Sequence, residues 1–111
     1  MKLFRSLSLA ALAASLSTAA LAADAAAGKQ KYVTHGCFQC HGFVGQGGAG
    51  PKLAPNPMPY DTLASFVRTT NRAMPPYSEK ILPNEDLADI YAYLESIPKG
   101  PDPKTIQLLN P

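Results

Sequence analysis

Cys37-Phe38-Gln39-Cys40-His41 puts two thiols and an imidazole within five consecutive positions. The spacing Cys-x-x-Cys-His is that of covalent haem attachment. A single turn of chain carries both sulfurs to one edge of a porphyrin, where each adds to a vinyl group as a thioether. The imidazole then folds beneath the iron as an axial ligand. Other chemistries share part of the pattern. A thioredoxin-like redox pair belongs near a βαβ unit, and none is legible around this segment. A structural zinc site takes four ligands, usually from two separated pairs, and the other histidine, His35, stands too close to begin a second pair. A lone disulfide, or a chance spacing in a Gly-rich loop, is the plain alternative.

Working outward, the 111 residues suffice for one small domain and not for two. A domain of that size has little apolar core of its own, and a bound cofactor commonly completes it. Residues 1–22 read as a secretory signal peptide: Lys2 and Arg5, then the Ala/Leu/Ser stretch from Leu7 to Leu21, then the small-x-small site Ala20-Leu21-Ala22. The mature chain is expected to begin at Ala23 or Asp24, which places the protein in the periplasm. An uncleaved anchor would need a longer and less Ser-rich stretch, and no later segment is apolar enough to span a bilayer. The formal net charge of +2 belongs to Lys2 and Arg5; without them basic and acidic residues balance. With no basic patch interleaved with aromatics, a nucleic-acid partner has no support. The remaining charge is split. Lys29, Lys31, Lys52, Arg68, Arg72 and Lys80 dominate the first part, and acids dominate from Asn84 onward. Such a split can steer docking at zero net charge.

Three helices are expected. Asp24 is the N-cap of the first, which runs through about Thr34. Gly28 weakens it unless a second helix approaches closely, and it shares a face with Tyr32. Asp61 is expected to cap the second, through about Thr70, with Leu63, Phe66 and Val67 as its apolar stripe. Asn84 is expected to cap the third, where Leu87, Ile90, Tyr91, Leu94 and Ile97 recur at helical spacing before Pro98. Between His41 and the second helix lie Gly42, Gly45, Gly47, Gly48 and Gly50, then Pro51, Pro55, Pro57 and Pro59. No Lys-Ser/Thr follows the glycines, so this is no phosphate loop; it reads as backbone turning against a flat ring. The domain is expected over 23–98. Residues 99–111 form a Pro-rich tail whose Ile106, Leu108 and Leu109 are expected to pack back on it.

A haem held by one histidine has a second face to fill. Met74 is the candidate, on a loop stiffened by Pro75 and Pro76. A thioether ligand raises the reduction potential and keeps the iron six-coordinate in both oxidation states. Met58, His35 and an open sixth position compete with it, and any methionine can be simple packing.

With these residues in place the chain resembles a small class I c-type cytochrome over essentially its whole mature length. The resemblance rests on Gly28 and Tyr32 in the first helix, the Cys37–His41 motif, Gly50-Pro51-Lys52-Leu53, Met74-Pro75, and Ile90-Tyr91-Ala92-Tyr93-Leu94. It implies an all-α cytochrome c fold, with three to four short helices wrapped around one haem c joined to Cys37 and Cys40. It implies that the Pro51 carbonyl accepts the His41 ring N–H, that Leu53 packs on the haem, that His41 and Met74 ligate iron, and that Ile90 and Tyr93 cross Gly28 and Tyr32. The implied role is transfer of single electrons. The donor would be a periplasmic flavin- or quinone-dependent dehydrogenase, and the acceptor a terminal oxidase or another cytochrome. Neither a nucleophile–base pair nor a paired-carboxylate site is legible, so the expected protein is a carrier rather than an enzyme. A haem enzyme or gas sensor with an open sixth position is the rival. Phe38, Phe43, Val44, Met58, Pro76 and Tyr77 are expected to rim the exposed haem edge, and Tyr60 and Arg72 are candidates for its propionates.

Overall fold

The computed structural model describes residues 22–111. The expected leader therefore lies outside the described residues, except for Ala22. Four α-helices occur in order, α1 Ala25–Thr34, α2 Phe38–His41, α3 Tyr60–Thr69 and α4 Asn84–Ser96, with no strand among the described residues. The fold is all-helical, as expected. No described helix is long and apolar enough to cross a membrane.

The first helix starts where Asp24 predicts. Its carboxylate accepts from the amides of Ala26 at 2.8 Å and Ala27 at 3.1 Å, satisfying two of the amides a helix start leaves unpaired. Gly36, at φ +80°, ends the turn after His35. The other two caps are corrected. Helix α3 begins at Tyr60 behind Pro59, so Asp61 lies inside the first turn, where it still complements the positive end. Helix α4 begins behind Pro83, and the Asn84 side chain accepts from Arg68 Nη2 at 2.8 Å instead of capping. In both cases a proline with fixed φ enters the helix without a side-chain cap. Helix α4 stops at Ser96 because Pro98 holds Ile97 extended, at ψ 118°.

The core sits where α1 crosses α4. Gly28 is buried there, and a Cβ on it would collide with the Asp89 carbonyl of α4. The missing side chain is what lets the two backbones touch. Tyr32 is fully buried, and its ring stands edge-on to Tyr93 at 5.6 Å, a geometry that aromatic quadrupoles favour. Leu87, Ile90 and Leu94 of α4 and Leu82 join the cluster, with Leu63 and Val67 of α3 on its far side. Each such leucine contributes roughly 1.5–3 kcal/mol by leaving water. The expected stripe on α3 is narrower than read: Phe66 is 45% exposed, while Leu63 and Val67 are buried. Of the tail's apolar residues, Ile106 is half-buried while Leu108 and Leu109 are exposed. Residues 103–109 form two single 3-10 turns held by Asp102 and Asn110, and Leu108 is 93% exposed. Its prolines and local hydrogen bonds organise it on its own, so its leucines stay off the core.

A charged clamp ties α1 to α4. Lys31 Nζ lies 2.8 Å from Asp86 Oδ1 and 2.6 Å from Asp89 Oδ2, and Asp89 Oδ1 accepts the Asp24 amide at 2.7 Å. Hydrogen bonds from Lys31 hold both carboxyls below their ordinary range, and the same bonds raise the lysine. For a carboxylate whose folded pKa is depressed, the stability is present above its unfolded value of 3.8 and is lost as pH falls through the folded one. Thermal unfolding followed from about pH 6 to about pH 3 should show an acid-side fall that Lys31→Met flattens; equal slopes would show that the clamp adds no stability. At the crossing, Gly28→Ala should lower stability by at least ~2 kcal/mol, because neither backbone can give way, and a denaturant titration reads this directly.

Candidate haem site

The motif occupies one turn of helix. Cys37 is in helical conformation at its start, His41 closes it, and Gly42 at φ +79° breaks it. On that turn residues three and four apart are neighbours, which brings Cys40 and His41 round beside Cys37. Two phenols from the crossing helices anchor the exit from this turn: Tyr32 donates to the Gly42 carbonyl at 2.8 Å and Tyr93 to the Phe43 carbonyl at 2.7 Å. The α1–α4 crossing thus sets the place of the motif directly.

Neither cysteine is bridged to the other. Cys40 is exposed, and Cys37 is half-buried. Burial pushes the Cys37 thiol up to about 11, with its own backbone amide pulling weakly the other way. A reactive or metal-binding thiolate has the opposite tuning to that of Cys37.

His41 is 7% exposed, and its Nδ1 lies 2.7 Å from the Pro51 carbonyl, the contact expected from the resemblance. A carbonyl only accepts, so Nδ1 donates to it, which in the neutral ring leaves the lone pair on Nε2. An imidazole fixed in this tautomer is ready to ligate a metal, and the carbonyl raises its basicity. The glycines make this approach possible. The Gly47 amide donates to the His41 carbonyl and the Gly50 amide to the Cys40 carbonyl, each at 2.8 Å. A Cβ on Gly50 would come within 2.8 Å of His41 Cε1. The Gly-rich loop therefore wraps the motif's own carbonyls and lies against the imidazole.

The remaining candidates join through packing. Leu53 and Met74 are half-buried against the core cluster, and the buried Thr70 hydroxyl lies 3.5 Å from the Met74 carbonyl. Leu53 also lines a pocket of about 300 Å³ with Pro55, Met58 and Leu63. Met58 is 45% exposed. His35 faces away into the inter-helix clamp, with Nε2 3.5 Å from Asp86 Oδ2. Of the expected rim, Phe38 and Phe43 stack at 4.5 Å, and Phe43 and Val44 are exposed. Tyr60 packs edge-on against Tyr91, and Arg72 is exposed. The roles of Gly50, of the Tyr32 and Tyr93 hydroxyls, and of Arg68, which donates to the Tyr77 carbonyl, had no signal in spacing alone.

Two unbridged thiols on one helical turn, a buried imidazole beside them, and a half-buried thioether packed on the core are the residue types that could hold a haem. The helical fold and this donor set together define a small c-type cytochrome. The chain belongs to the family described as cytochrome C oxidase, cbb3-type, subunit III, whose model matches residues 23–94. No curated protein and no solved structure was found to match it. A domain of this family implies haem c and electron transfer.

Gly50→Ala should push the His41 ring off the Pro51 carbonyl; were His41 to hold a haem iron, its donation would weaken and the midpoint potential would rise. Loss of one hydrogen bond, ~1 kcal/mol, corresponds to on the order of 40 mV for one electron. An unchanged potential in a redox titration would remove the carbonyl's role.

Proposed function

We propose that this chain is an exported, periplasmic, single-haem electron carrier and not an enzyme. Residues 1–22 are the cleaved leader and 23–98 the haem domain. Haem c is joined through Cys37 and Cys40, with His41 and Met74 as axial ligands and Pro51 and Leu53 supporting them. Its donor is a periplasmic flavin- or quinone-dependent dehydrogenase, and its acceptor a terminal oxidase or another cytochrome. When bound, haem c supplies an iron that cycles between Fe(III) and Fe(II) and so handles one electron at a time. The observation that carries the haem reading is the His41–Pro51 contact beside two free thiols, which haem attachment through Cys-x-x-Cys-His uses together.

The protein's own residues supply the rest. Pro51 holds the imidazole in one tautomer. Leu53, Leu63 and the core exclude water from one side. Met74 is favoured over Met58 by its packing against the core, because a thioether held by its surroundings adjusts little between oxidation states. Docking charge is smaller than the sequence suggests. Lys31 and Arg68 are engaged within the fold, which leaves Lys29, Lys52, Arg72 and Lys80 to meet an acidic partner face.

The purified protein should be red, should keep its pigment through acid–solvent extraction, and should have the mass of the mature chain plus one haem. In the oxidised state it should show an iron–thioether absorption band, which Met74→Ala abolishes. A colourless protein would overturn the haem reading, and a band that survives in Met74→Ala would overturn only the assignment of that ligand. Ready cyanide binding by the wild type would favour the open-site rival.

A further inference from the structure

Tyr77 follows Met74 by three residues and is held at three points. Its amide donates to the Val67 carbonyl of α3 at 2.9 Å. Its carbonyl accepts from Arg68 Nη1 at 2.9 Å, and Nη2 of the same guanidinium donates to Asn84 at the start of α4. Its phenol donates to the His35 carbonyl, also at 2.9 Å, with the two rings edge-on at 6.5 Å. His35 stands two residues before Cys37. Burial pushes the Tyr77 phenol upward.

The first two bonds fix the loop to the helices behind it. The third is different in kind: it joins the loop carrying Met74 to the segment that enters the Cys37–His41 turn. No other hydrogen bond among the described residues links 71–80 to 35–41. We propose that Tyr77 is a positioning residue whose phenol, by bonding the His35 carbonyl, latches the Met74 loop to the haem-attachment segment and keeps the thioether on the iron. This rests on Met74 being the ligand. Opening the latch frees the loop to swing while α1, α3 and α4 stay packed, because none of their mutual contacts uses the hydroxyl.

The test is titration of the oxidised, haem-loaded protein with imidazole, followed by loss of the iron–thioether band, alongside thermal unfolding. Tyr77→Phe keeps the ring and removes one hydrogen bond. It should bind imidazole about fivefold more tightly, the ~1 kcal/mol of a neutral hydrogen bond acting on the Met74-bound fraction, while its band without imidazole persists. His35→Ala retains the accepting carbonyl and should bind as the wild type does. Unchanged imidazole affinity in Tyr77→Phe, even with a lowered unfolding midpoint, would overturn the latch and leave Met74 as ligand. Equal tightening in His35→Ala would also overturn it, assigning the effect to ring contact. A band that survives Met74→Ala would overturn the ligand assignment itself, and the latch with it.

Discussion

The close crossing of α1 and α4 at Gly28 is the constraint on which the rest of the structure depends. Without a side chain at that point the α1 backbone lies on the Asp89 carbonyl, and Tyr32 and Tyr93 are brought edge to edge one turn further on. Their hydroxyls then reach past the core and fasten the carbonyls of Gly42 and Phe43, the two residues that leave the Cys37–His41 turn. A helix–helix contact whose own energy is apolar thus delivers the position of the site through two hydrogen bonds. The Lys31 clamp works on the same pair of helices and holds their relative rotation.

Around the attachment turn, glycine serves two different ends. Gly36 and Gly42 take left-handed backbone conformations that start and stop a one-turn helix. Gly50 leaves room for a ring. By folding back on the carbonyls of Cys40 and His41, the loop brings Pro51 to the imidazole and satisfies backbone groups that so short a helix cannot pair internally. The proline-rich stretch beyond it carries the chain to α3 without competing for those groups, since each proline lacks a donor.

Much of this was legible. The five-residue motif is local chemistry, and its spacing needs no tertiary information. The Asp24 cap and the end of α4 before Pro98 are equally local. The caps at Asp61 and Asn84 were misread because Asp and Asn favour helix starts in general, whereas each of these starts comes after a proline that already fixes the entering φ. Phe66 fell on the right stripe by spacing, but it stands outside the core that buries Leu63 and Val67. The tail's leucines looked like core residues by type, yet nothing in residue type reports whether a surface waits to receive them.

By itself the sequence determined the Cys37-x-x-Cys40-His41 spacing, the helical class, and the need for a close helix approach at Gly28, because each depends on residues adjacent or one turn apart. Tertiary structure alone decided which cations are free, since Lys31 and Arg68 find their partners only when distant segments meet. It decided which tautomer His41 holds, since that proton is assigned by a carbonyl ten residues away in the chain and one hydrogen bond away in space.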